Sequence, residues 1–389
     1  MKRIVFVTGF LLLVAGSFSQ SLNQKLQKAY QQFEKDSQLK YAISSLYVID
    51  AKTGAVVFDK NSRIGLAPAS TQKIITASTA FELLGKDYRY KTNFYYQKDK
   101  KLTDYIVLLK GSGDPTFGSW RYYQTTPSTI FSKLNSAFSK IDISMNIKKL
   151  TFAVTDSFEH QAIPDGWIWQ DIGNYYGAAA HGFNWRENQV TIKLSSDKDI
   201  GGSVQIENYD SLFTSLANVE NSLRSGAKGS GDNAYYYFGY SNSFRDVSPI
   251  FKGTIPVKEK EFTISIAVAD PGGLFDRDIR ENEENNNNNY ELSASITDIQ
   301  NRIKLLSSPL DKPFYTHYSP TLDSIIYWFL KKSINLYGEA LIKTFAYEKN
   351  GFGTTDSGVA IVKDFWKQKG IDEDELNISD GSGLSPQNR

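Results

Sequence analysis

The sequence predicts an α/β protein in which one α/β domain is split between the two ends of the chain by a large, mainly β insert. Three observations carry this. A strand pair and an apolar helix fill residues 41–84, short alternating strands dominate residues 89–269, and helical periodicity returns from Leu322 onward. At 389 residues the chain exceeds what one hydrophobic core usually organises, so two or more domains are expected.

At the N-terminus, Lys2 and Arg3 precede an apolar run from Ile4 to Val14, and the small residues Ser17 and Ser19 stand just before Gln20. This is the layout of a cleavable secretory signal over residues 1–19. Its apolar run falls short of the roughly 20 residues that a membrane-spanning helix needs. The mature chain is therefore expected outside the cytoplasm, with no stable membrane span. Gln24–Asp36 reads as an amphipathic helix. Tyr41–Ile49 alternates, Asp50-Ala51-Lys52-Thr53-Gly54 makes a turn, and Ala55–Asp59 returns as the second strand of a hairpin. Beyond Pro68, Thr71–Leu84 has helical periodicity and Gly85 stops it, which puts Ser70 at a helix start.

Strands are expected at Tyr105–Lys110, Lys149–Val154, Gln189–Leu194 and Glu261–Ala269. The polar run Glu281–Asn289 reads as an exposed loop. Helices follow at Leu322–Leu330, Gly338–Tyr347 and Gly358–Lys369.

Composition excludes several functions. The 44 basic residues are balanced by 43 acidic ones, which leaves no footprint for nucleic acid. The absence of cysteine removes disulfides, thiolate metal sites and cysteine nucleophiles together. His160, His181 and His317 are far apart without metal-ligand spacing, and no Gly-x-Ser-x-Gly elbow is present. No metal or organic cofactor is implied. A serine enzyme built on this chain would take its base from a residue other than histidine.

Ser-x-x-Lys occurs three times, at Ser37/Lys40, Ser70/Lys73 and Ser195/Lys198, where roughly one or two are expected by chance. Only Ser70 opens a mainly apolar helix directly after a strand pair. At i and i+3 the hydroxyl and the amine share one helix face within hydrogen-bonding reach. The free N–H groups and positive dipole of a helix start favour an oxyanion. Lys73 must be desolvated, or set beside another cation, to act as a base. A capping serine followed by a solvated lysine would show the same pattern. A second constellation, Lys331-Lys332-Ser333-Ile334-Asn335, ends the Leu322–Leu330 helix, where Ser333 and Asn335 can project from one short turn into a cleft; a polar helix end looks the same.

These elements together resemble the penicillin-recognising serine peptidases, whose motif set includes Ser-x-x-Lys and Ser-x-Asn. Gly111-Ser112-Gly113-Asp114-Pro115-Thr116, Asp165-Gly166-Trp167-Ile168-Trp169-Gln170-Asp171 with Tyr175-Tyr176-Gly177-Ala178, and Asp380-Gly381-Ser382-Gly383-Leu384-Ser385 narrow the likeness. In order, they are similar to segments of the class C low-molecular-mass penicillin-binding proteins, the D-alanyl-D-alanine carboxypeptidase/endopeptidases of peptidoglycan. The resemblance runs from about residue 25 to 389. It implies a β-lactamase/transpeptidase-like, penicillin-recognising domain in two parts, 20–90 and 296–389, around an insert at 91–295.

It also implies roles. Ser70 attacks the D-Ala-D-Ala carbonyl, Lys73 takes its proton and Ser333 relays a proton to the leaving group. Asn335 binds the substrate amide, the Ser70 N–H forms half the oxyanion hole, and Asp171 and Tyr176 contact the substrate's diamino acid. A peptidoglycan stem peptide is the implied substrate, β-lactams are the implied covalent inhibitors, and the periplasm is the implied location. Asp114 and Gly113 read as turn residues.

Two departures from the family stand out. Ile334 takes the middle position of Ser-x-Asn. Lys52-Thr53-Gly54 precedes the nucleophile at a hairpin tip and reads as turn chemistry, whereas the family's Lys-Thr-Gly follows the Asp380–Ser385 loop. The sequence ends at Arg389, so an incomplete copy of the enzyme, poorly acylated in this form, is expected. The segment 270–320 is expected to lack a helix that relatives carry. The rival readings are a non-catalytic cell-wall binding protein of the same fold, and a β-lactamase or esterase of the superfamily.

Overall fold

The computed structural model describes residues 21–98, 105–141, 150–155, 157–207, 219–239, 248–285 and 312–389. The expected secretory signal, the first residue of the Lys149–Val154 strand and Asn286–Asn289 of the polar run lie outside the described residues. The chain forms two compact units, divided after Leu66.

In the first unit, α1 (Leu22–Phe33) begins at Ser21, whose side chain caps Gln24 N–H in a capping box closed by the Gln24 side chain. A hairpin of β1 (Leu46–Ile49) and β2 (Val56–Lys60) pairs antiparallel. Tyr30 of α1 packs on Phe58, with ring centroids 5.8 Å apart. Lys52, Thr53 and Gly54 make the hairpin turn. The Asp50 carboxylate accepts from Lys52 N–H and Thr53 N–H, and Gly54 takes a φ of 72°.

The second unit holds two apolar cores. A helical core gathers around α2 (Gln72–Leu84) and three later helices: α6 (Leu322–Lys332), α7 (Asn335–Asn350) and α8 (Thr355–Gln368). Ala77 and Ala80 of α2 let it approach closely, and Phe329, Leu336 and Leu341 fill the space between. The other core is mainly β. Its four-stranded sheet has the order β12–β3–β4–β5, with β3 (Lys91–Lys98), β4 (Tyr105–Gly111), β5 (Leu150–Thr155) and β12 (Tyr315–Tyr318). One three-stranded sheet combines β11 (Phe262–Ala267), β6 (Gln189–Ser196) and β7 (Val204–Ile206). The other combines β8 (Glu220–Gly226), β10 (Ile250–Pro256) and β9 (Asn233–Tyr237), with β10 parallel to β8.

The structure adds three helical elements within and after the predicted β region. α3 (Pro127–Phe138) starts with Thr126 capping Thr129 N–H and proline in the first turn; a four-residue turn, α4 (Trp169–Ile172), follows later. α5 (Pro271–Asn285) overturns the expectation that no helix lies between residues 270 and 320, and that the polar run opens as a loop at Glu281. Asp270 accepts from Gly273 N–H at 2.9 Å, and Pro271 stands at the helix start. Leu274, Phe275 and Ile279 then bury one face. Phe275 meets Trp185 at 5.0 Å, Phe183 at 5.5 Å and Phe152 at 5.6 Å, so tertiary packing holds this helix where its polar composition alone would not.

Candidate active site

Ser70 lies in a single 3-10 turn, Ala69–Thr71, that runs directly into α2. Ala69 takes a φ of 48°, a left-handed conformation that costs a non-glycine residue about 1–3 kcal/mol and persists only where the surroundings enforce it. Here the surroundings include Gly383. With φ +81°, it approaches so closely that a Cβ on it would stand 1.9 Å from Ala69 O.

One turn on, Lys73 is buried at 1% exposure. Its Nζ lies 2.9 Å from Ser70 Oγ, 2.6 Å from Asn335 Oδ1 and 2.8 Å from Ser382 O. Two of these three partners can only accept. A neutral amine would spend both N–H bonds on them and turn its lone pair to the Ser70 hydroxyl. The protonation state follows from the same burial, which pushes the amine down to about 8 against the opposing pull of the Glu339 and Asp380 carboxylates.

Ser333 and Asn335 arrive from the junction of α6 and α7. Ser333 ends α6 in the left-handed conformation (φ 54°, ψ 44°), and Asn335 is the first residue of α7. This sharp change of direction brings Ser333 Oγ to 2.8 Å from Ser70 Oγ. Asn335 turns the other way. Its Oδ1 accepts from Lys73, and its Nδ2 donates to Tyr176 O at 2.7 Å.

The Asp380–Ser385 loop completes the floor. The buried Asp380 carboxylate accepts from Trp167 Nε1 (2.9 Å) and Ser385 N–H (2.6 Å) on Oδ2, and from Gly383 N–H (2.7 Å) and Asn388 Nδ2 (3.0 Å) on Oδ1. Four donors on one carboxylate fix the loop, so that Ser382 O faces Lys73 and Gly381 O accepts from Thr76 Oγ1 at 2.7 Å. Behind it, Glu339 accepts from Gly381 N–H at 3.1 Å. Burial first, then the neighbouring Asp380, pushes Glu339 up to about 8.

A cavity of about 390 Å³ opens beside Ser70, lined by Ser333, Asn335, Tyr176, Arg121 and Glu187 among others. The Arg121 guanidinium grips Glu187 through both Nε (2.8 Å) and Nη2 (3.1 Å). Glu187 also accepts from Ser119 Oγ and from the buried Tyr337 hydroxyl. It is the middle of three successive left-handed residues, Arg186, Glu187 and Asn188.

The structure thus gathers Ser70, Lys73, Ser333 and Asn335 at one point. Tyr176 joins them through its carbonyl and lines the same cavity. Asp171 stands behind it, its carboxyl pushed up by burial against the opposing effect of the Tyr176 hydroxyl. Asp114 is buried in a turn in which it caps Thr116 N–H at 2.8 Å. Among the described residues no group of acidic, histidine or cysteine side chains could hold a metal ion.

Sequence reasoning missed the Arg121–Glu187–Tyr337 network, for which no local spacing gives a signal. It also missed Glu339 and the fully buried Lys343, whose Nζ donates to Ala162 O and Ala180 O and lies 3.4 Å from Glu159. A signal for that pair exists. Asn335, Glu339 and Lys343 repeat every four residues, a polar stripe through the mainly apolar first part of the helix.

Over 372 aligned residues the chain is 25% identical to the D-alanyl-D-alanine carboxypeptidase of Actinomadura sp. (strain R39), covering 90% of this chain and 63% of that protein; it thus spans less than two thirds of that relative's length. The crystal structure of penicillin-binding protein 4 (dacB) from Haemophilus influenzae superposes with a TM-score of 0.64 at 20% identity, covering 88% of this chain and 71% of the other. The same protein complexed with a β-lactam superposes with a TM-score of 0.57 at 19% identity, covering 88% and 70%. These likenesses establish the fold, an α/β architecture shared with that penicillin-binding protein. The D-Ala-D-Ala carboxypeptidase 3 (S13) family model matches residues 22–389, and the chain belongs to that family.

Proposed function

We propose that this protein is a serine D-alanyl-D-alanine carboxypeptidase/endopeptidase that acts on peptidoglycan stem peptides through an acyl-enzyme at Ser70. The observation that carries this reading is the pair of close contacts on Ser70 Oγ, with the buried Lys73 amine at 2.9 Å, whose pKa burial lowers, and with the Ser333 hydroxyl at 2.8 Å. A hydroxyl so placed has a base on one side and a proton relay on the other. Family membership supports the same chemistry.

In the proposed reaction, Lys73 takes the Ser70 proton as Oγ bonds to the carbonyl carbon of the penultimate D-Ala. The Ser70 N–H, at the start of α2, stabilises the oxyanion. Collapse of the tetrahedral intermediate breaks the C–N bond, and the leaving amine takes a proton by way of Ser333. Water then attacks the ester and the proton returns, freeing Ser70. Asn335 holds the substrate amide, and Tyr176, backed by Asp171, faces the side chain of the stem peptide's diamino acid. A β-lactam would acylate the same oxygen. The domain reading follows: residues 20–90 and 296–389 form the catalytic part around an insert at 91–295. No helix among the described residues is long and apolar enough to cross a membrane, and a cell-wall substrate would place the protein in the periplasm.

The test is hydrolysis of a pentapeptide-stem muropeptide. Release of one equivalent of D-alanine, lost in Ser70→Ala, is the expected result. Intact substrate after prolonged incubation with the complete protein would contradict the reading.

A further inference from the structure

The outward face of the four-stranded sheet carries a second site. Lys91, Asn93 and Tyr95 alternate along β3 and share one face, since Thr92 and Phe94 between them are buried. Strand register then sets Lys110 of β4 opposite Asn93, and Tyr318 of β12 opposite Lys91. Tyr88 and Arg89 on one side and the end of α7 at Tyr347 and Glu348 on another turn this face into a groove of about 550 Å³.

The charge in that groove is net positive. Arg89, Lys91 and Lys110 line it, and among the described residues none of the three forms an ion pair. Arg89 donates to a neutral group, Ser319 O, at 2.6 Å. Glu348 is the one acid on the wall, and the Tyr88 hydroxyl holds it at 2.8 Å. Three cations against one engaged carboxylate attract an anion. Tyr95, Tyr318 and Tyr347 add flat aromatic faces with polar edges, and Asn93 and Ser112 add hydrogen-bonding groups. Planar faces, hydrogen-bonding groups and fixed positive charge together suit a sugar ring that bears a carboxylate.

We propose that this groove binds a carboxylate-bearing glycan strand of the cell wall, at a site distinct from the catalytic cleft. The proposal rests on the reading of the protein as a cell-wall peptidase. Tyr347 and Glu348 lie roughly 12 residues along α7 from Asn335, about 18 Å at the helical rise. A polymer anchored there keeps its remaining stem peptides at high effective concentration near Ser70.

The probe is a purified, fluorescently labelled glycan strand whose stem peptides have been removed at the muramyl amide bond, so that its muramic acid rings carry free carboxylates and it offers no D-Ala-D-Ala bond to hydrolyse. Its anisotropy is titrated with the intact protein at low and high salt. The expected result is binding that weakens with salt and falls at least tenfold in Lys91→Gln/Lys110→Gln, while penicillin acylation of Ser70 in that variant stays at the wild-type rate. Equal binding by the double variant overturns the proposal. So does equal affinity for an uncharged chitooligosaccharide, which would show that the cations are not used, or stronger binding of an oligothymidylate, which would make the groove a general polyanion site. Failure of penicillin to label the wild type would count against the catalytic reading and leave the strand titration to be judged by itself.

Discussion

Ser333 donates a hydrogen bond to Ser70 over 2.8 Å, although 263 residues separate the two in the chain. The contact depends on the left-handed conformation of Ser333, which ends α6 and starts α7 within two residues. Because Ser333 is exposed, removing its hydroxyl leaves no buried group without a partner. Ser333→Ala is expected to lower kcat/KM for a D-Ala-D-Ala substrate about 100-fold or more, the scale of a lost proton-transfer group, with Tm unchanged. Steady-state kinetics beside a thermal melt checks both halves.

Lys73 sets the pH dependence. Its amine is lowered to about 8 by burial, so the protonated form dominates below that pH and the neutral, proton-accepting form above it. Acylation should therefore rise with pH through about 8, by roughly tenfold between pH 7 and pH 9, for a single group titrating there. Lys73→Arg keeps the charge but cannot lose it in this range, and should abolish the rise together with the activity. Stopped-flow acylation by a chromogenic β-lactam across that range is the measurement. A flat profile would remove Lys73 from the role of base.

Gly383 holds the turn before the nucleophile. Any side chain there meets Ala69 O at 1.9 Å and must also accept a φ of +81°. Gly383→Ala should displace the Ala69–Ser70 peptide and cost about 100-fold in acylation, the scale of a misplacement near 1 Å. Circular dichroism should stay near wild type. An unchanged acylation rate would mean that this close approach does not position Ser70.

Asp380 offers a stability test. Each of its oxygens accepts from two donors, so an asparagine in either orientation points its NH2 at two of them. Asp380→Asn is expected to destabilise the second unit by about 3 kcal/mol or more, the cost of buried donors left unpaired. Urea denaturation followed by tryptophan fluorescence reads it directly.

Much of this site was legible in the sequence, for reasons that particular residues make plain. Ser70 and Lys73 are local, one turn apart on one helix, so spacing alone put them together. Ser333 and Asn335 were equally local to each other, but only a resemblance to known enzymes joined them to Ser70. The helix α5 was hidden because Glu281–Asn285 looks like solvated loop; its stability comes from Phe275 and its aromatic neighbours, which sequence periodicity does not reveal. The Arg121–Glu187–Tyr337 network was hidden for a related reason. Its members come from three distant segments, and Glu187 is held in a left-handed backbone that no residue preference announces. Glu339 and Lys343 were within reach, since polar residues at every fourth position from Asn335, set among apolar neighbours, mark a buried polar face.

The most direct test of the central claim is mass spectrometry of the complete protein after exposure to benzylpenicillin. The account predicts a single covalent adduct of the drug's mass on the peptide containing Ser70, absent from Ser70→Ala. An adduct of equal yield in that variant, or one on a different peptide of the wild type, would contradict it.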